Sequence, residues 1–211
     1  MASQKIDIKT EEDKNLFQSG MLYDTTVYCQ STCWGLHRSI LTSRCQWFKD
    51  NLSARPKEEG KAVVRLDDFP KDLIHTLLEF IYTGELKHDS LGDHRLLTTL
   101  FNMSIHYKFA KFADAVIMEA NRCARVVVDG RRGEGRPFKK PLLDELIGAV
   151  RIAYNGDSSK QQRIRKVYRK LFADCKASVQ KDKYFYDCMR AIPIFMVDMQ
   201  ETINFPVSFA E

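Results

Sequence analysis

The sequence predicts an α+β fold in which α-helices cover a small β-sheet, followed by an all-α C-terminal region. Three observations support this fold class. Short β-branched and aromatic runs, such as Thr25-Thr26-Val27-Tyr28-Cys29, lie in the first third of the chain. Apolar residues at helical spacing run from Leu73 onwards. A stretch rich in glycine, proline and basic residues at 129–141 is the clearest boundary in the chain.

Composition and the first residues limit the class of protein. The 211 residues are 44% apolar, which is enough to bury a core. No apolar run approaches the roughly 20 residues that span a bilayer. The first ten residues mix charges with single aliphatic residues, unlike a secretory signal. We therefore expect a cytoplasmic or nuclear protein that does not bind a membrane.

The residues that usually carry chemistry form no recognisable site. The six cysteines lie at 29, 33, 45, 123, 175 and 188, and no pair has CxxC spacing. No histidine joins them in a metal-like cluster, so we expect free thiols, no metal and no cofactor. A nucleophile elbow, a phosphate loop and a paired-carboxylate motif are also missing from the sequence. The sequence thus predicts a protein that is not an enzyme and has no catalytic residues.

The elements of the first region follow from local patterns. Glu11-Glu12-Asp13 precede a short apolar group, which indicates a brief helix with acids in its first turn. Two strands then form a hairpin around a polar turn at 30–32. Pro70 and Gly84 suit the start and end of an amphipathic helix. The remaining predicted elements are two short helices over 39–52, a loop at 54–61, a strand at 63–66, and helices over 91–105 and 109–127.

The second region is helical and basic. One amphipathic helix runs from Leu142 to Tyr154, and a second carries Ile164, Leu171 and Phe172 on one face. A last helical segment, 184–202, is divided at Pro193. Residues 1–121 hold 15 Lys/Arg and 17 Asp/Glu, whereas residues 122–190 hold 18 and 8. The two regions therefore present surfaces of opposite charge.

Several phrases, taken in order, resemble the BTB/POZ family over roughly residues 20–125. They are Tyr23-Asp24-Thr25-Thr26-Val27, His37-Arg38-Ser39-Ile40-Leu41, Cys45-Gln46-Trp47-Phe48, Val63-Val64-Arg65-Leu66 and Phe80-Ile81-Tyr82-Thr83-Gly84-Glu85-Leu86. Tyr184-Phe185 and Ile192-Pro193-Ile194-Phe195 are similar to the helical extension of fungal BTB proteins. The resemblance implies a BTB/POZ domain with an N-terminal helix at 1–128, a basic Gly/Pro linker at 129–141 and a helical extension at 142–211.

The resemblance also implies a non-catalytic interaction adaptor that pairs with itself and binds a further protein partner. The dimer interface would contain Leu16, Phe17, Met21, Leu22, Asp24 and Arg38. Asp24 and Arg38 would form a buried ion pair there; alternatively, Asp24 caps a turn and Arg38 is a solvated charge. The four apolar residues would contact the partner protomer, or they would fold back and complete their own core. We interpret His37 as a structural hydrogen-bonding residue.

Two further roles remain as alternatives. Some BTB proteins present substrates to a cullin ubiquitin ligase through a bulky apolar residue two positions before a glutamate. Here Pro56, Lys57 and Glu58 form the corresponding docking loop, and proline replaces the bulky residue, which weakens that interpretation. A nucleic-acid-associated role in transcription regulation is the less favoured alternative. It would use a basic surface of Arg131, Arg132, Lys139, Lys140, Arg163, Lys166, Arg169 and Lys170.

Overall fold

The structure is a computed structural model that describes residues 11–52, 61–88, 91–130, 137–180 and 182–203. Its strands are β1 (Thr25–Cys29), β2 (Thr32–Leu36) and β3 (Ala62–Arg65). Its helices are α1 (Glu11–Ser19), α2 (Arg38–Arg44), α3 (Gln46–Leu52), α4 (Lys71–Thr83), α5 (His94–His106), α6 (Ala110–Asp129), α7 (Lys140–Tyr154), α8 (Ser158–Asp174), α9 (Lys176–Val179), α10 (Lys183–Arg190) and α11 (Pro193–Ile203). These elements confirm the predicted α+β fold.

The sheet has β1 at its centre. β1 pairs antiparallel with β2, with Val27 opposite Trp34, and parallel with β3, with Thr26 opposite Val63. Alternate residues of β1, including Val27 and Cys29, are fully buried, as expected for a strand with one face on a core. The predicted hairpin and third strand are confirmed, and the parallel pairing of the third strand is a further finding.

Helix α4 supplies most of the apolar cover for this sheet. Its residues Ile74, Leu77, Leu78 and Ile81 are fully buried. Gly84 ends the helix in the left-handed region at φ +71°, and its N–H donates to the carbonyl of Phe80 at 2.8 Å. A residue with a β-carbon is strained at this angle, so the predicted glycine stop has a direct conformational cause.

The chain divides into two compact units whose boundaries differ from the predicted domain boundaries. The first contains residues 1–89 and 103–112, and the second contains residues 90–102 and 113–211. The first four turns of sequence-continuous structure before 129 are therefore not a single unit, because most of α6 belongs to the second. The division at 129–141 remains a prediction about the linear chain, and residues 131–136 lie outside the described residues.

The second unit has an aromatic core centred on Phe172 of α8. Its ring lies 5.0 Å from that of Phe185, 5.8 Å from Phe195 and 6.3 Å from Phe138, measured between centroids. The predicted apolar face of α8 thus packs against α10 and α11. The predicted helix through Val179 is interrupted at Cys175, where α8 ends.

Arg165 corrects the expected charge pattern of α8. The sequence placed it on the solvated basic face, but only 1% of the residue is exposed. Its guanidinium donates to the carbonyl of Ala153 at 2.9 Å and lies 4.3 Å from the centroid of the Tyr154 ring. The last carbonyls of α7 have no partner within that helix, and they stabilise a cation buried beside them.

His94 is a buried ionisable group of the second unit. Its backbone N–H donates to the Glu145 carboxylate at 2.7 Å, and its carbonyl accepts from the Tyr168 hydroxyl at 2.9 Å. The ring nitrogen Nδ1 has no hydrogen-bond partner among the described residues. Burial lowers the pKa of the ring to about 4, against the opposing effect of Asp93.

This burial predicts that the second unit loses stability in acid. The folded pKa lies below the value of about 6.5 expected in the unfolded chain, so the unfolded state binds more protons as the pH falls. The wild type should lose about 2 kcal/mol of unfolding free energy through this group between about pH 7.5 and about pH 5. His94→Phe should remove that loss in urea unfolding followed by circular dichroism. His106→Phe, at an exposed site, should retain it, and identical acid dependence in both variants would contradict the assignment.

Candidate interaction surface

The C-terminal end of α4 binds a buried arginine. The Arg44 guanidinium donates to the carbonyls of Ile81 and Tyr82 at 3.0 and 3.1 Å. It also forms an ion pair with Asp13 of α1 at 2.6 Å, and the two side chains are only 9% and 15% exposed. The carbonyls at a helix C-terminus favour a cation, and the carboxylate balances its charge. Arg44 therefore joins α1, α2 and α4.

The Tyr82 hydroxyl makes a second connection at the same place. It accepts from the backbone N–H of His37 at 2.8 Å and lies 3.0 Å from His37 Nδ1. His37 Nε2 lies 2.7 Å from the carbonyl of Met21, so Nε2 must donate. In the neutral ring, Nδ1 then accepts from the hydroxyl. Burial raises the pKa of Tyr82, which keeps the hydroxyl protonated. We call Asp13, His37, Arg44 and Tyr82 the α4 anchor.

Phe17 of α1 packs on its own chain. Its ring centroid lies 5.2 Å from that of Tyr82 and 5.4 Å from that of His75. Phe17 and Leu16 are half-buried rather than exposed. The expectation that all four apolar residues near the N-terminus lack an intrachain contact is therefore wrong for Phe17, because α4 offers an aromatic surface that the sequence pattern did not indicate.

Met21 and Leu22, in contrast, are directed to solvent. Together with Tyr23 they form what we call the apolar turn, and the three residues are 64%, 88% and 38% exposed. Leu22 has φ +58°, in the left-handed region. A leucine there costs roughly 1–2 kcal/mol. An exposed aliphatic side chain in a strained backbone is a candidate contact for another protein.

The sheet supports the apolar turn from the side opposite α4. The Tyr23 ring lies over Gly35 of β2, where a β-carbon would come within 2.9 Å of the ring. Lys61 Nζ lies 3.7 Å from the centroid of the same ring, at cation–π distance. Val63, on the outer face of β3, is 43% exposed. The apolar turn and this outer face are therefore both accessible.

Asp24 and Arg38 meet in a way that corrects the predicted ion pair. The Asp24 carboxylate accepts from the backbone N–H of Arg38 at 2.7 Å. The Arg38 guanidinium donates instead to the carbonyl of Leu52. Asp24 thus binds the first N–H of α2, where a helix favours an acidic group. This arrangement agrees with the alternative in which Asp24 acts as a cap, although the cap belongs to a helix rather than a turn.

The other predicted surfaces are only partly described. Pro56, Lys57, Glu58, Arg131 and Arg132 lie outside the described residues. Of the remaining basic positions, Arg163 forms an ion pair with Asp114 at 2.7 Å, and Arg169 lies 3.6 Å from Asp198. Exposed side chains are found at Lys139, Lys140, Lys166 and Lys170. A basic surface on these residues stays a prediction.

The sequence did not identify Arg44, Asp13 or Tyr82 as a group. They lie 31 and 38 positions apart, so no local spacing links them. Tyr82 was visible only as part of the phrase that follows Phe80. Across the described ranges, no three His, Cys, Asp or Glu residues could hold a metal ion. Nor is any helix in that part of the chain long and apolar enough to cross a membrane.

Comparisons with known proteins agree with the resemblance seen in the sequence. Residues 14–117 match the model of the BTB/POZ domain. Over 73 residues the chain is 32% identical to BTB/POZ domain-containing protein 7 of Mus musculus and to the human protein of the same name. That stretch is 34% of this chain but only 6% of each relative. The match ends before the C-terminal helices, whose similarity to fungal extensions stays a prediction.

The α4 anchor predicts the effect of removing one hydroxyl. Tyr82→Phe should lower the unfolding free energy by about 1–3 kcal/mol, because His37 loses a buried partner. Amide hydrogen exchange should accelerate at residues 20–24, which the anchor holds. Tyr28→Phe is the matched control, since Tyr28 is half-buried on the outer face of the sheet. Equal exchange at residues 20–24 in the two variants would mean that the hydroxyl does not hold this segment.

Proposed function

We propose that this chain, in which residues 14–117 form a BTB/POZ domain, is a non-catalytic adaptor that self-associates through the apolar turn. The observation that carries the proposal is the exposure of Met21 and Leu22, at 64% and 88%, on a backbone that is held from both sides. Exposed apolar groups that are rigidly placed lose little entropy when they are covered, which favours association.

A second copy of the chain is the partner that this geometry supports. In a two-fold dimer each protomer offers the same patch, so the apolar turn of one protomer contacts the corresponding region of the other. Val63 and the half-buried Trp34 extend the apolar surface of the same unit. A stable pair requires on the order of 1,600 Å² of buried area, more than the turn alone provides. We therefore infer that the turn is the centre of a larger interface.

The position of Phe17 changes how self-association should be tested. Its ring packs on Tyr82 and His75, so a charge at Phe17 would disrupt the fold of its own chain. Met21 and Leu22 make few contacts within the chain, as their exposure indicates. Substitutions at these two residues therefore separate loss of association from loss of folding.

We expect Met21→Asp combined with Leu22→Asp to convert a dimer into a folded monomer. Light scattering after size exclusion should give half the wild-type mass, and the thermal unfolding midpoint of the monomer should stay within a few degrees of a matched wild-type sample at low concentration. The control is Met118→Asp combined with Val126→Asp, since these residues of α6 are also exposed, at 72% and 62%. The control should remain dimeric. A wild type that is monomeric at high micromolar concentration would rule out self-association.

A further inference from the structure

A groove in the first unit lies between the α2–α3 junction and the turn that leads into α6. Its volume is about 600 Å³. Gln46 and Lys49 of α3 line one side, and Lys108 and Lys111 line the other. Cys45 and Phe109, both almost fully buried, form its floor. The groove is separate in sequence and composition from the apolar turn.

The charge of this groove has one sign. The lining includes Arg44, Lys49, Lys108 and Lys111 and no aspartate or glutamate. Arg44 is already paired with Asp13. Lys108 lies 3.4 Å from Asp50, which is outside the lining, and both side chains are largely exposed, so the pair is weak. The three lysines therefore leave the groove with an excess of positive charge.

The backbone adds to this positive potential. Helix α6 begins at Ala110 on the rim of the groove, and its 20 residues carry no acid in the first turn. The first N–H groups of such a helix have no acceptor within it and favour a negative group. The three lysines supply most of the potential, and the helix increases it.

We propose that this basic groove binds an acidic segment of a partner protein. Carboxylates along an extended peptide would contact the three lysines, and the polar side chains of Thr42 and Gln46 could accept or donate at the rim. The lining offers no exposed aromatic ring on which a base could stack, since Phe109 is only 3% exposed. The groove is also short, and Asp50 stands beside it, which disfavours a phosphate backbone. A peptide fits these features better than a nucleic acid does.

The test uses a fluorescein-labelled peptide of eight glutamates and its eight-glutamine analogue. We expect the full chain to bind the first peptide and not the second in fluorescence anisotropy, with affinity that falls as salt rises. Lys108→Glu combined with Lys111→Glu should weaken binding by about tenfold or more. The control is Lys71→Glu combined with Lys87→Glu, which makes the same change in net charge at exposed positions outside the groove. It should change the affinity by less than about twofold.

Lys108 has φ +49°, where glutamate could impair folding. Lys108→Asn combined with Lys111→Gln keeps a residue that tolerates this angle and removes both charges, so it replaces the first variant if circular dichroism shows a loss of structure. Equal weakening by the groove and control variants would overturn the proposal, because net charge alone would then explain binding. Binding of the glutamine peptide, or tighter groove-dependent binding of a single-stranded oligonucleotide of equal charge, would also overturn it.

Discussion

The C-terminal end of α4 is the point on which the N-terminal part of the chain depends. There the Arg44 guanidinium binds two terminal carbonyls of the helix and the Asp13 carboxylate of α1. The Tyr82 hydroxyl binds His37, which binds the carbonyl of Met21. These groups are largely buried, so leaving any of them without a partner would cost about 1–3 kcal/mol. The α4 anchor therefore fixes α1 and the segment that follows it by polar contacts rather than by burial of Met21 and Leu22.

This division of roles explains why two aliphatic side chains can remain exposed. Covering Met21 or Leu22 would gain roughly 1.5–3 kcal/mol each, and the left-handed backbone at Leu22 costs roughly 1–2 kcal/mol. A free segment would relieve both by folding back. The hydrogen bonds of the α4 anchor oppose that movement, and so the apolar turn stays available to another chain. Phe17, which needs no such restraint, already packs on α4.

Elements with a strong local pattern could be predicted from the sequence, whereas contacts that join distant residues could not. The alternation in β1, the apolar stripe of α4 and its closing glycine are local, and the structure confirms them. The salt bridge of Arg44 and the capping contact of Asp24 depend on how separate elements meet. Arg165 was assigned to the wrong face because helical spacing ignores a neighbouring helix end that can bind a buried cation. The exposure of Leu22 likewise follows from its backbone angle, which composition does not reveal.

The central claim is that the α4 anchor presents the apolar turn for association, and sedimentation equilibrium of Tyr82→Phe tests it most directly. The account predicts that this variant remains folded and dissociates at a concentration about tenfold or more above that of the wild type, because its apolar turn is no longer held in place. Tyr28→Phe should associate as the wild type does. If Tyr82→Phe associated as tightly as the wild type while its residues 20–24 exchanged freely, the link between the anchor and association would be wrong.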